Sequence, residues 1–466
     1  MIRPSRVHLL PIALAVCLAF PGAARAGVNE DILNELRALK SRVAELEQKL
    51  EAQGAQIAAT PQGMTVEQQQ EMARVTVKTE AMEDARDALG LKNLKISGYM
   101  DPTFIYNLRQ DRAGFQFLNR VEDDLYNYDN SYFGAAVIDF TKETDGGSRW
   151  RLTLAPNRGV GTVFDGNSPI HEASVSIPLT DLQTRLIAGQ IPDWSGYEYL
   201  QPTLNKLITH NLLFDFTLPT AYTGAGLELT RGKWLMKGML ANVNASKRAA
   251  KDTSPALAYR VDYAKGEFQG FGFAGVHGKA KNFTENVLDG SGDPIAQRDS
   301  RIDLFELDAY FIRGDWTVQG QWSIGRQADA SITPQAADGS LRAGQWWGLS
   351  ALAAYKFQPR LEGTVRADYI NNRKNGGGLL GYTLADGRNG IGPAQVDADL
   401  DGINDDNEHG VNRSALTFGL SYLYNLNTTF KFEYRYDHAS GPVFLDSQNT
   451  YKKDNQLIGA SVLVSF

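Results

Sequence analysis

A run of acidic residues near position 400 has the spacing of a twelve-residue calcium-binding loop. Its oxygen ligands would be Asp397, Asp399, Asp401, Asp405 and Glu408. Gly402 stands at the sixth position, where the loop must turn sharply. No amphipathic helices flank the run, and Asn404 occupies a position that is usually apolar. Two readings therefore stay open: a structural Ca²⁺ site, or an acidic surface loop that holds no ion.

Residues suited to catalysis do not form a recognisable motif. The histidines beyond the N-terminal region are His171, His210, His277, His409 and His438. They lie far apart, without the spacing of an H-E-x-x-H zinc site. The adjacent Asp437 and His438 have no matched nucleophile, and the sequence contains no G-x-S-x-G elbow or P-loop. We predict that the chain is not an enzyme and requires no cofactor, with a barrel enzyme as the alternative.

Charged residues instead alternate with apolar ones along extended segments. Around residue 432, Lys431, Glu433 and Arg435 alternate with Phe432 and Tyr434. A strand places alternate side chains on opposite faces, and this pattern fits a wall with lipid outside and water inside. The predicted pore-lining charges are Arg149, Arg151, Lys233, Lys237, Arg260, Glu306, Asp308, Arg366, Asp368, Lys431, Glu433 and Arg435. The same face carries Asp139, Glu228, Asp262, Glu362 and Asp437, so the near balance leaves ion or anion selectivity open.

The spacing of these segments predicts the fold. From Leu94 onward there are about sixteen alternating segments, joined in turn by short connections and long loops. Short turns at one end and long loops at the other are typical of outer-membrane barrels. We therefore predict an all-β fold, a transmembrane antiparallel β-barrel of about 16 strands over residues 93–466, with an N-terminal α-helical coiled-coil extension.

The third long loop, Ile191 to Pro219, is too apolar to lie free in water. It contains Trp194, Leu212 and Phe214 among other apolar residues, so it should pack on something. In one interpretation the loop folds into the barrel, where Asp193, Glu198, Lys206 and His210 would line a constriction. In the other interpretation the loop packs over the rim of the barrel or against a neighbouring protomer.

The last strand ends on an aromatic residue. Ile458, Val462, Val464 and Phe466 alternate with small or polar residues, apart from Leu463. A terminal Phe on such a strand resembles the insertion signal of outer-membrane barrels. It predicts recognition by the outer-membrane insertion machinery.

The first 26 residues have the features of a secretory signal peptide. Arg3 and Arg6 precede an apolar stretch, and an A-x-A site ends at Ala26. Cys17, the one cysteine of the chain, lies in that stretch, so the mature chain would hold no disulfide. Lipidation of Cys17 is the alternative. The net charge of −7 argues against nucleic acid as a partner.

Residues 27–52 carry a heptad pattern, with apolar residues in alternating steps of four and three from Ile32 to Leu50. We predict a coiled coil that holds a homotrimer, or a solvated helix packed on its own barrel. Residues 53–92 would follow as a linker and a periplasmic helix, ending near Gly90.

Three stretches carry a family resemblance. They are KISGYMDPTFIYN, the run from AGQIPDWSGYEYLQ to LELTRGKW, and NNRKNGGGLLGYTLADGRNGIGP. They resemble a Gram-negative family of porin-like outer-membrane proteins of unassigned function, which is similar in plan to putative β-barrel porins and phosphate-selective porins. The resemblance implies outer-membrane lipid as surroundings and trimers as assembly. The expected function is passive diffusion of small hydrophilic solutes, with a plugged barrel that displays its loops for structure or adhesion as the alternative.

Overall fold

The computed structural model describes residues 74–79, 90–116, 134–155, 169–245, 253–264, 268–280, 299–330, 343–372 and 409–466. Nearly all of them lie in antiparallel strands. The strands are β1 (Leu94–Met100), β2 (Thr103–Asn107), β3 (Arg112–Gln116), β4 (Ala136–Glu143), β5 (Arg149–Leu154), β6 (Ile170–Asp181), β7 (Thr184–Pro192), β8 (Ala221–Arg231), β9 (Trp234–Val243), β10 (Ala256–Ala264), β11 (Gln269–Ala280), β12 (Ser300–Arg313), β13 (Trp316–Gln327), β14 (Gly344–Gln358), β15 (Leu361–Asn371), β16 (Arg413–Asn425), β17 (Thr428–Ala439), β18 (Phe444–Leu445), β19 (Tyr451–Lys452) and β20 (Asp454–Ser465).

These strands close into one barrel. From β4 to β17 each strand pairs with the next, β20 pairs with β17, and β20 also pairs with β1 and β2. β1 and β2 lie end to end and together occupy one strand position of the wall. β4 pairs with β1 and β3 pairs with β2, so β3 and β4 together occupy the next position. β18 and β19 form a separate hairpin. The wall therefore has 16 strand positions, which confirms the predicted antiparallel β-barrel of about 16 strands.

Side chains alternate between the two faces of the wall as the sequence predicts. On β17, Phe432 and Tyr434 are 53% and 39% exposed on the outer surface, whereas Glu433 and Arg435 face inward and are buried. Aromatic pairs lie on the outer surface near both ends of the strands. Trp234 packs against Tyr263 at the short-turn end, with ring centroids 4.7 Å apart and the rings tilted by 55°. Trp347 and Tyr369 pair near the long-loop end in the same way. Two aromatic bands of this kind flank the apolar belt of membrane barrels.

Turn lengths divide the barrel into two ends. Among the described connections, the turns at one end of the barrel are all short, and they follow β4, β6, β8, β12, β14 and β16; the turn between β2 and β3, residues 108–111, lies at the other end. The turn after β6 falls at residues 182–183, because the pairing with β7 continues to Asp181 and Thr184. The long connection between β2 and β4 contains β3, because Arg112 to Gln116 form a hairpin with β2.

The C-terminal strand closes the ring. Ile458 and Val464 are 44% and 43% exposed on the outer face, and Ser461 and Leu463 are buried on the inner face. Phe466 exchanges two backbone hydrogen bonds with Gly98, with N to O distances of 3.0 and 3.2 Å. The last residue of the chain is therefore paired with the first strand.

The chain divides into two units, Met1–Gly90 and Leu91–Phe466. In the first unit, residues 74–79 are helical and Gly90 has a φ of +70°. The predicted signal peptide, the coiled coil, most of the 53–92 segment and the acidic run 397–408 lie outside the described residues. Within the described ranges, every helix is too short to span a membrane.

Candidate functional site

The third long loop, residues 193–220, folds into the barrel between β7 and β8. It contains a short helix, Leu212–Thr217. Asn211 begins this helix, and its side-chain oxygen accepts a hydrogen bond from the Phe214 amide at 2.8 Å. This cap satisfies one of the amides that a helix leaves unpaired at its start. The loop is thereby given a fixed shape inside the lumen.

The helix buries its apolar side chains against the inner wall. Leu212, Leu213 and Phe216 are at most 2% exposed, and they pack with inward residues of the wall strands. These are Tyr222, Met239, Ala241, Val243, Ala256, Ala258, Val276, Ala280, Ile302, Leu304, Trp346, Ile370 and Ala415. Burial of each large apolar side chain contributes about 1.5–3 kcal/mol. An apolar core therefore fills the part of the lumen that lies against β8 to β16.

Two inward glycines let the loop approach the wall. A Cβ at Gly348 would lie 2.3 Å from Leu213 Cδ2, and a Cβ at Gly419 would lie 2.2 Å from Leu207 Cδ2. At either point a larger residue would require the leucine side chain of the loop to move. The glycines therefore leave room for the loop to lie close against the wall.

Arg366 on β15 anchors the middle of the loop. Its guanidinium donates to Glu198 Oε1 at 2.8 Å, to the Thr209 carbonyl at 2.7 Å and to the His210 carbonyl at 2.7 Å. On its own strand it also donates to Asp368 at 3.0 Å. The side chain is fully buried. A buried guanidinium is tolerated because its donors are matched by two carboxylates and by loop carbonyls that would otherwise lack donors.

β17 supplies three further anchors. Arg435 donates to the same His210 carbonyl at 2.7 Å. Glu433 accepts from the Ile208 and Thr209 amides at 2.6 and 3.1 Å. Lys431 donates to the Pro202 and Asn205 carbonyls, both at 2.7 Å. The alternating charges of β17 thus form hydrogen bonds with backbone amides and carbonyls of the loop.

The two flanks of the loop are also held. The Gly196 amide donates to Glu306 Oε2 at 2.8 Å, and the Tyr197 hydroxyl lies 2.6 Å from Ser350 Oγ. Lys206 pairs with Glu362 at 2.8 Å. The loop is therefore bound to the wall from β12 to β17.

Burial shifts the pKa of two loop residues in opposite directions. Desolvation lowers the pKa of His210 to about 3, and the nearby guanidinium charges of Arg366 and Arg435 add to the effect. The ring stacks on Phe214, with centroids 4.1 Å apart. Desolvation raises the pKa of the Asp193 carboxyl to about 6, although hydrogen bonds with Ser195 and Tyr222 favour its charged form. His210 is accordingly neutral in the packed loop at neutral pH.

A cavity of about 720 Å³ remains beside the loop. At about 30 Å³ per water molecule it has room for roughly twenty waters. Its wall is formed by β5, β6 and the short-turn halves of β9, β10 and β12, and its other side by the edge of the loop. The charged residues that line it are Arg151, Glu172, Asp193, Glu198, Asp215, Lys233, Lys237, Arg260, Asp262 and Asp308.

The predicted pore-lining residues thus fall into separate places. Arg151, Lys233, Lys237, Arg260 and Asp308 line the cavity. Arg366, Asp368, Lys431, Glu433 and Arg435 also face inward, but the loop covers them, and Glu306 is buried beneath Gly196.

Arg149 lies apart from the cavity, near the short turn after β4, where it pairs with Glu143 at 2.9 Å. Of the predicted loop residues, Asp193 and Glu198 reach the cavity, whereas Lys206 and His210 contact the wall or the loop itself. In the described ranges, no cluster of three or more His, Cys, Asp or Glu side chains could hold a metal ion.

One further contact was not anticipated from the sequence. Arg413, on β16, lies between two aromatic rings, with its guanidinium carbon 5.3 Å from the centre of Phe216 and 5.0 Å from that of Phe444. Phe216 belongs to the loop helix and Phe444 to the hairpin of β18 and β19. Asp437 accepts from Arg413 at 2.9 Å. Arg413 therefore ties the third and the last long loops together inside the barrel.

Solved structures with a similar fold are outer-membrane proteins. OmpT of Vibrio cholerae is 8% identical, with a TM-score of 0.50 over 80% of this chain and 97% of that one. The outer-membrane channel DcaP of Acinetobacter baumannii is 10% identical, with a TM-score of 0.48 over 80% and 97%. OmpF of Salmonella typhi, solved with daunomycin, is 13% identical, with a TM-score of 0.49 over the same shares. At these identities the likeness concerns the fold alone.

A comparison with curated protein sequences gives no match. A family profile, described as a protein of unknown function, matches residues 53–466, which include the whole barrel. The matched range covers the three stretches that carry the resemblance noted in the sequence. The chain belongs to this family of proteins of unknown function, DUF3138.

Proposed function

We propose that the protein is a porin of the bacterial outer membrane, through which small hydrophilic solutes diffuse passively. The observation that carries this proposal is the position of the third loop. It is bound to β12 to β17 and leaves a charge-lined cavity, with room for roughly twenty water molecules, against β5, β6, β9 and β10. A lumen narrowed by one inward loop can exclude large solutes while it still passes water and small ones.

The mechanism requires no chemical step. Charged side chains along the cavity replace part of the hydration shell of a solute, so that its entry costs little free energy. The loop sets the width of the passage. Because it is held by buried ion pairs and an apolar core, its position is fixed in the resting state and it does not act as a freely moving flap.

The same proposal places the chain in its surroundings. The short-turn end and both ends of the barrel chain would face the periplasm, and the long loops would face the exterior. The segment 27–52 would join three copies through its heptads, and the run 397–408 would hold Ca²⁺ in an external loop. These last two assignments derive from the sequence pattern.

A second candidate is a plugged barrel that presents its loops for structure or adhesion. The apolar core around the loop helix favours it, because that core closes the lumen along β8 to β16. Under this alternative the cavity beside the loop would be a closed pocket, and no ion current would cross the barrel.

Single-channel recording in planar bilayers separates the two candidates. The purified full-length protein should first show a different gel mobility before and after boiling, as folded barrels do. The porin proposal then predicts discrete conductance steps. Folded protein that inserts into the bilayer and gives no steps would refute the porin and support the plugged barrel.

A further inference from the structure

The cationic residues inside the barrel are unevenly divided by the third loop. Four of them are sealed beneath the loops and are at most 5% exposed: Arg366, Arg413, Lys431 and Arg435. Four buried carboxylates accompany them: Asp368, Glu433 and Asp437 beneath the loop, and Glu198 at the edge of the cavity, whose charge is paired with Arg366. The covered side of the lumen is therefore close to neutral, and its cations are shielded from any solute in the cavity.

On the cavity side, carboxylates outnumber the cations that they pair with. Arg151 is paired with two carboxylates, Asp139 at 2.8 Å and Glu172 at 3.2 Å. Arg260 is also paired with two, Asp262 and Asp308, each at 2.7 Å. The positive charge of each arginine is therefore already more than balanced by its immediate neighbours.

Further carboxylates surround these pairs. Glu306 lies 4.0 Å from Arg260, and Glu228 pairs with Lys237 at 3.2 Å. Asp193 and Asp215 line the cavity from the loop. Four cations, Arg151, Lys233, Lys237 and Arg260, thus stand beside seven carboxylates that line the cavity or pair with its cations: Asp139, Glu172, Asp193, Asp215, Glu228, Asp262 and Asp308. Among the described residues the cavity side carries an excess of negative charge.

We propose that the passage beside the third loop prefers cations, so that small cationic solutes cross it faster than anions of the same size. This inference rests on the proposed porin function and adds its substrate class. A narrow passage with low-dielectric walls and an excess of one charge sign concentrates the opposite ions. Because the wall charges act through water, the preference should weaken with salt, as the screening length falls from about 10 Å at 0.1 M to about 3 Å at 1 M.

The test is the zero-current potential of the full-length protein in planar bilayers under a tenfold KCl gradient. In dilute salt we expect K⁺ to permeate severalfold faster than Cl⁻, and in molar salt this ratio should approach one. The double variant Glu172→Gln/Asp262→Asn removes two cavity carboxylates but leaves each arginine its second partner, Asp139 or Asp308. We expect it to lower the K⁺/Cl⁻ ratio at least twofold.

Asp303→Asn is the matched control, because it makes the same chemical change on the outer face of β12, where Asp303 pairs with Arg301 at 3.1 Å and contacts neither the cavity nor the third loop. It should leave the ratio unchanged. Conducting channels with no cation preference in dilute salt, or a double variant with the wild-type ratio, would overturn this inference and leave the porin proposal standing. Folded protein without any conductance would overturn both.

Discussion

The clearest prediction concerns Arg366, the buried anchor of the third loop. Arg366→Met keeps the apolar stem of the side chain and removes the guanidinium. The change deletes hydrogen bonds to Glu198 and to the Thr209 and His210 carbonyls, all between 2.7 and 2.8 Å. It also leaves the Glu198 carboxylate buried without its cationic partner, although the Asn211 amide still donates to it at 2.6 Å.

The magnitude follows from the burial of this pair. Loss of one partner from a buried ion pair costs about 3–5 kcal/mol. This free energy falls on the contact between the loop and the wall, because the backbone pairing of β15 with β14 and β16 does not use the Arg366 side chain. At about 1.4 kcal/mol per factor of ten, the released form of the loop should become about a hundredfold to several thousandfold more populated.

Hydrogen exchange measured by mass spectrometry on the folded, membrane-inserted protein reads this population directly. Amides of residues 193–220 should lose protection in Arg366→Met, while the wall strands keep theirs. Arg185→Met is the matched control. Arg185 is also a buried, inward arginine, but it donates to Ser176 Oγ and the Gly147 carbonyl near the short-turn end, away from the loop. A loop protected to within tenfold of wild type, or equal loss in both variants, would refute the anchoring role.

Three further predictions concern pH, assembly and oligomeric state. His210 binds a proton below pH 6.5 in the released loop but only below about pH 3 in the packed loop, so at this residue acid favours release. Asp193 keeps its proton up to about pH 6 in the packed loop but loses it at a lower pH in the released loop, so at this residue acid favours packing. Each effect amounts to about 2–3 kcal/mol at pH 4.5. On acidification the loop should therefore pack more tightly in His210→Gln and more loosely in Asp193→Asn, as measured by the hydrogen-exchange protection of the loop at pH 4.5 and 7.5. Equal responses of the two variants would contradict the assignment. Phe466→Ala should lower the fraction of heat-modifiable, membrane-inserted barrel in cells without changing the K⁺/Cl⁻ ratio of the channels that do form, and normal insertion would remove the role given to this residue. Deletion of residues 27–60 should reduce cross-linked trimer on gels, and an unchanged cross-linking pattern would argue against the coiled coil.

The sequence predicted the wall because alternation is a local signal. On β17, the outward Phe432 and inward Glu433 lie one residue apart, and the period of two assigns each to a face without knowledge of any distant residue. Turn lengths are equally local, and they led to the correct number of strand positions. Phe466 could also be identified from the last strand alone, whereas its pairing with Gly98 on β1 could be seen only in the structure.

The packing of the third loop was harder to predict because its partners are distant in sequence. Glu198 and Arg366 are 168 positions apart. An inward arginine is satisfied equally by water or by a carboxylate of an inserted loop, so alternation alone could not separate the covered Arg366 from the cavity-lining Arg260. One signal was available. Near the long-loop end, Leu304 faces inward beside the outward Phe305, and such strands with two apolar faces indicate that the lumen is filled at that height.

The central claim is that the third loop covers one side of the lumen and leaves the other open to solutes. Gln319 and Gln321 on β13 test it directly, since both face inward two residues apart. Gln319 lines the cavity, whereas Gln321 is 4% exposed and lies against Gly196 of the loop. The variants Gln319→Cys and Gln321→Cys should be recorded as single channels while a bulky, water-soluble thiol reagent is added. We predict a stepwise fall in conductance in Gln319→Cys and none in Gln321→Cys. An equal response, or block through Gln321→Cys alone, would contradict the account.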